Sequence, residues 1–134
     1  MTVITVACMD MLHEGHANLL RAMARLGTPV VELHSDRAIF ALKGRFPVQP
    51  LSQRIRNVYD TGIVKQGDCY PIDGPDPSEW VEWVAGVRKP VTFMRGDDMA
   101  DFPARAKVEE LGIPVVWHPY TRGVSSTQRR DECA

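Results

Sequence analysis

The sequence predicts an α/β fold, a mostly parallel five-stranded sheet with helices on both faces. Two observations carry this. Short β-branched runs alternate with amphipathic stretches at the spacing of βαβ units, and the unusual polar groups fall just after the predicted strands, where sheets of this class gather ligands. Those groups are Asp10 to His16, His34 to Asp36, Arg95 to Asp98 and His118 to Thr127.

Val3-Ile4-Thr5-Val6 reads as the first strand, and residues 17–26 place Leu19, Leu20, Met23 and Leu26 on one helical stripe that Gly27 closes. Pro29–His34 is a second strand. After an irregular Ser35–Pro50 segment, Leu51, Ile55, Val58 and Tyr59 share one helical face, and Asp60-Thr61-Gly62 stops that helix. Ile63-Val64-Lys65 is a short third strand, and the turn-rich run GDCYPIDGPDP, 67–77, a connection. Pro77-Ser78-Glu79 starts a helix through Trp80, Trp83, Val84 and Val87, with the two tryptophans as a packing stripe. Pro90–Met94 is a fourth strand, Ala104–Leu111 a helix ended by Gly112, Pro114–Trp117 a fifth strand, and Ser125-Ser126-Thr127 the cap of a last short helix.

The totals narrow the function classes. The 134 residues suit one domain, 44% are apolar, and sixteen basic against seventeen acidic groups leave the chain near neutral. Binding to nucleic acid through a bulk positive field is not expected. No cationic leader opens the sequence and no apolar run approaches the roughly 20 residues of a membrane span, so a cytoplasmic protein is expected. Cys8, Cys69 and Cys133 are too few and too irregularly spaced for a disulfide framework or zinc knuckles and read as free thiols.

The stretch ACMDMLHEGH, residues 7–16, joins the first strand to the first helix and sets His13 and His16 three positions apart around Gly15. A helix opening there turns unpaired N–H groups and a positive dipole end toward the rim, which makes an anion site. Two imidazoles at that point can donate hydrogen bonds to phosphate oxygens. A three-ligand zinc site on Asp10, His13 and His16 is one alternative, and a plain core or capping role is another.

ACMDMLHEGH resembles the GxFDxxHxGH signature of the nucleotidyltransferase superfamily that includes the cytidylyltransferases, and Gly123-Val124-Ser125-Ser126-Thr127 resembles its second signature. Leu42-Lys43-Gly44-Arg45-Phe46-Pro47-Val48 followed by Gln53-Arg54 is similar to the KGxxRPV…QR stretch of the heptose-phosphate nucleotidyltransferases. Met94-Arg95-Gly96-Asp97-Asp98-Met99 resembles the MGDDW stretch of glycerol-3-phosphate cytidylyltransferase. The resemblance implies a Rossmann-like, doubly wound domain. It also implies the reaction: the phosphate of a small acceptor attacks the α-phosphorus of a nucleoside triphosphate, with magnesium held mainly by the triphosphate, and pyrophosphate leaves.

The same resemblance supplies roles. His13, His16, Lys43 and Arg122 are expected to be catalytic. Cys8, Met9, Asp10, Gly15, His16, Arg54, Gly96, Asp97, Asp98, Thr121, Gly123, Ser125, Ser126, Thr127 and Arg130 are expected at the nucleotide. Lys43, Arg45 and Tyr120 are expected at the acceptor, and no protein metal ligand is expected. CTP is the expected donor and ATP with a sugar phosphate the alternative; a nucleotide-binding protein without catalysis is a further one. A homodimer is implied by the resemblance alone. Departures from the pattern are Ala7 for glycine, Met9 for phenylalanine, Tyr120 for arginine, Arg122 for glutamate and Gly62 for arginine.

Overall fold

A computed structural model of the chain describes residues 1–74, 76–96, 102 and 104–119. Its five strands are β1 (Thr2–Ala7), β2 (Thr28–His34), β3 (Cys69–Ile72), β4 (Val91–Gly96) and β5 (Val115–His118). The helices are α1 (Glu14–Leu26), α2 (Asp36–Lys43), α3 (Leu51–Asp60), α4 (Ser78–Val87) and α5 (Arg105–Glu110). The strands form one sheet in the order β3-β2-β1-β4-β5, and every pairing is parallel. The chain winds outward from β1 to β3, returns to the middle, and winds the other way through β4 and β5. This is the doubly wound, Rossmann-like α/β arrangement, with the direction reversing beside β1.

Period-two alternation in the strands divides the core. Val3, Val31, Leu33 and Met94 face α1 and α3, where they meet Leu20, Met23 and Val58. Ile4, Val6, Val30, Val91 and Phe93 face α4 and α5, where they meet Val81, Val84 and Val108. Leu20 and Met23 are fully buried, each stabilising the fold by roughly 1.5–3 kcal/mol. Leu26, expected on the same stripe, is instead 49% exposed at the helix end. Gly27 is required there because a Cβ would stand 2.3 Å from the Met1 carbonyl oxygen, which accepts the Thr28 N–H. Trp80 packs beside Tyr70 as expected of the tryptophan stripe, whereas Trp83 remains half exposed.

Two expected elements are corrected. The Ser35–Pro50 segment is not irregular. It contains α2, capped by Ser35 Oγ accepting from Ala38 N–H and closed by Gly44 in the left-handed region at φ 75°. Its apolar Phe40 and Leu42 lie exposed, so no helical stripe announced it. The third strand is not Ile63–Lys65 but β3, inside the run read as a connection. β3 is an edge strand, where Pro71 costs no sheet hydrogen bond on its open side. Val64 is buried against the α1 and α3 side without belonging to a strand.

Candidate active site

The β1–α1 turn is built by its own side chains. His13 caps α1 from an extended conformation, and its Nδ1 accepts the Gly15 N–H at 3.0 Å. His16 returns the contact, its Nδ1 accepting the His13 N–H at 3.2 Å. The rings stack at 3.8 Å between centroids and 18° between planes. An imidazole whose Nδ1 accepts a hydrogen bond carries its ring proton on Nε2. Reciprocal capping therefore gives both histidines the Nε2–H tautomer and one shared orientation. The sequence pointed to backbone N–H groups of the first turn as anion donors; the Gly15 N–H is instead engaged by His13, and donor capacity passes to the imidazoles.

Asp10 is 1% exposed, and its two carboxylate oxygens accept the backbone N–H groups of Val48 and Gln49 at 2.8 and 2.9 Å. Gln49 Oε1 in turn accepts from Met11 N–H and from Asn57 Nδ2. The loop after α2 is thus pinned to the end of β1. Met9 and Met11, on either side of Asp10, are held at φ 48° and 52°, a left-handed conformation that costs non-glycine residues roughly 1–2 kcal/mol each. The sharp double turn aims the Asp10 carboxylate at Val48 and Gln49. As a third zinc ligand Asp10 is poorly placed, because both its oxygens are engaged by N–H groups. Among the described residues no group of three His, Cys, Asp or Glu is placed to hold a metal ion.

Arg54 is fully buried. Its Nε donates to the Gln49 carbonyl, Nη1 to the carbonyls of Cys8 and His34, and Nη2 to Asp36 at 2.7 Å. One guanidinium ties the ends of β1 and β2 to the start of α2 and to the pinned loop. The resemblance gave Arg54 to the nucleotide; four of its five N–H groups are engaged within the chain. Lys43 and Arg45 are exposed at the end of α2 and just past it. Cys8 is half-buried with a free thiol beside the turn, Gly15 is in the first turn of α1, and Gly96 closes β4 in register with His118. Ala7 is the last residue of β1, extended, so its methyl group is accommodated where a glycine was anticipated. Asp97, Asp98, Tyr120, Thr121, Arg122, Gly123, Ser125, Ser126, Thr127 and Arg130 lie outside the described residues, as does Cys133.

Sequence reasoning passed over Gln49, the organiser of the pinned loop, and Glu32, a lone carboxyl inside an apolar strand. The charge in the run Pro29-Val30-Val31-Glu32-Leu33 was the signal for the latter. Burial pushes Glu32 up from the usual 4.5 to about 8. Burial pushes His34 down from 6.5 to about 4, opposed by the Gly74 backbone and reinforced by the cations of Arg95, Arg54 and Lys43. Burial likewise pushes the Cys69 thiol up to about 12, against the pull of Arg54, which keeps it protonated at neutral pH.

These shifts define a stability profile. Between pH 4.5 and 8 the folded state keeps the Glu32 proton that the unfolded state has lost, so stability falls as pH rises. Between pH 6.5 and 4 the unfolded state binds the His34 proton that the folded state refuses, so stability falls as pH drops. The slopes cancel between 4.5 and 6.5, leaving a plateau that declines toward 8. Glu32→Gln should abolish the decline between pH 6.5 and 8 and leave a rise from pH 4 to 6.5, read from urea midpoints across pH. An unaltered decline between pH 6.5 and 8 in that variant would refute the assignment.

A doubly wound parallel sheet with paired, oriented imidazoles at the first strand-to-helix turn defines a nucleotidyltransferase-like domain. Comparison with known proteins agrees. A family model described as cytidylyltransferase-like matches residues 4–131, and the chain belongs to that family. It is 36% identical over 124 residues to the "Bifunctional protein HldE" of Streptomyces coelicolor, covering 90% of this chain and 26% of that protein. To the protein of the same name from Gluconobacter oxydans it is 32% identical over 130 residues, covering 94% and 26%. The chain therefore spans about a quarter of the length of these relatives. The crystal structure of a lipopolysaccharide core biosynthesis protein from Thermoplasma volcanium superposes with a TM-score of 0.64 at 23% identity, covering 90% of this chain and 96% of the other, and shares the fold.

Proposed function

We propose that this domain transfers a nucleotidyl group from ATP to a sugar phosphate, forming a nucleoside-diphosphate sugar and pyrophosphate. The observation that carries the reading is the His13–His16 pair, whose mutual capping puts both ring protons on Nε2 at the strand-to-helix turn. In the proposed reaction an acceptor phosphate oxygen bonds to the α-phosphorus, the bond to the bridging oxygen of the β-phosphate breaks, and pyrophosphate leaves with the electron pair. Negative charge grows on the non-bridging oxygens of the α-phosphate. Two preoriented Nε2–H donors stabilise it more than they stabilise the ground state. Lys43 and Arg45, exposed near the rim, attract the acceptor phosphate. Magnesium on the triphosphate neutralises charge and asks for no carboxylate cluster from the protein. A cytoplasmic homodimer belongs to the same proposal; no helix among the described residues is long and apolar enough to cross a membrane.

ATP leads over CTP for two reasons. The Leu42–Val48 stretch with Gln53-Arg54 resembles the heptose-phosphate nucleotidyltransferases, and HldE relatives match across the chain. CTP remains the second reading because the Arg95-Gly96-Asp97-Asp98 run resembles the cytidylyltransferase stretch. Pyrophosphate release measured with each triphosphate against a panel of phosphorylated acceptors separates them. Release with ATP and a sugar phosphate is expected; release with CTP alone would replace this reading, and nucleotide binding without release on any acceptor would mark a domain that has lost catalysis.

A further inference from the structure

Glu32 and His34 lie two residues apart on β2, so their side chains project from the same face of the sheet. Glu32 is in register with Val6 and Tyr70, which places that face under α4 and α5. Glu32 is 1% exposed and His34 4%, and among the described residues Glu32 Oε1 and His34 Nδ1 have no hydrogen-bond partner. A third such atom, Trp80 Nε1, is on α4, the helix that covers this face. Folded chains leave few buried polar atoms unsatisfied, because each one forfeits its hydrogen bonds to water and destabilises the fold. Two on adjacent same-face positions of one strand, at its carboxyl end in a doubly wound sheet, stand where ligands bind.

We propose that Glu32 and His34 form a subsite for the uncharged, hydroxyl-bearing part of the phosphorylated acceptor. The inference rests on the nucleotidyl-transfer reading above and adds the class of group recognised. The chemistry of the two side chains selects the occupant. A buried carboxyl held protonated offers one donor and one acceptor, and a neutral imidazole offers a Nδ1 acceptor. Hydroxyl groups, which both donate and accept, complement that set. A phosphate does not, since it only accepts and favours cations. The cations of Arg95, Arg54 and Lys43 act on His34 from nearby, so a ligand with its phosphate at the basic rim and its hydroxyls on β2 bridges the two regions.

The test is calorimetric titration of the 134-residue chain, without nucleotide, using inorganic phosphate and a panel of sugar 1-phosphates from pentose to heptose. At least one sugar phosphate is expected to bind about tenfold or more tightly than inorganic phosphate. Glu32→Met and His34→Leu should each lose about tenfold in that affinity, the scale of one lost hydrogen bond, while binding inorganic phosphate within about twofold of the parent. Glu32→Gln, which keeps a donor and an acceptor, should restore most of it. Glu32→Met should also melt no lower than the parent, because it replaces an unpartnered buried carboxyl with an apolar group of similar size; a purely structural carboxyl predicts the opposite. The proposal is overturned if no sugar phosphate binds better than inorganic phosphate, or if folded Glu32→Met and His34→Leu bind the panel as the parent does. Failure of the nucleotidyl-transfer reading shows separately, as absence of ATP and CTP binding in a parallel titration.

Discussion

Arg54→Met is expected to lower the unfolding free energy by about 3 kcal/mol, the scale of leaving buried carbonyls without their donor. The fully buried guanidinium donates to three carbonyls, of Cys8, His34 and Gln49, and to the Asp36 carboxylate. Methionine fills much of the volume but leaves the three carbonyls without that donor, the one of His34 fully buried, while the Asp36 carboxylate, 42% exposed, turns to solvent. The loss is also expected to loosen the site, because the same four contacts fix the loop that Asp10 holds. Urea unfolding read by circular dichroism checks the magnitude. A loss below about 1 kcal/mol accompanied by loss of nucleotide binding would return Arg54 to the phosphate-gripping role the resemblance gave it.

His16→Ala is expected to lower turnover by on the order of a hundredfold or more, the usual cost of one preoriented transition-state donor. Stability should drop by only about 0.5–2 kcal/mol, since the His13 N–H loses its side-chain acceptor at a helix start. His13→Asn divides the two duties of that residue. Asparagine caps helices well and can accept the Gly15 N–H as the imidazole does, but it has no Nε2. Turnover is therefore expected to collapse in His13→Asn while the melting temperature stays close to the parent. Full activity in the asparagine variant would show that the histidine acts as a cap and nothing more.

The structure also changes how the opening motif is understood. Histidine at position 13 stands where serine or aspartate commonly caps a helix, and the stacked partner at position 16 completes a reciprocal cap. One set of hydrogen bonds settles the helix start, the ring tautomers and the ring orientation together, so the donor geometry is present before any ligand arrives. Asp10 and Arg54 then act from beneath, through backbone groups, to hold the turn in place.

What the sequence determined by itself was local. The short β-branched runs of β1, β2 and β4, the α3 stripe of Leu51, Ile55, Val58 and Tyr59, and the strand-to-helix motif at His13 were readable because each signal lies within a few neighbouring residues. The parallel α/β class followed from their order. α2 was half legible, since Ser35 and Gly44 mark its ends while its exposed Phe40 and Leu42 hide the stripe. Tertiary structure alone decided the rest. β3 is a strand because Val31 to His34 offer it a partner edge, not because its own Tyr70-Pro71-Ile72 favours one. Arg54 is buried because carbonyls from positions 8, 34 and 49 converge on it, and Glu32 holds its proton because α4 closes over its face. Hydrogen bonds and desolvation of this kind join residues tens of positions apart, and they arise only when the strands are laid side by side.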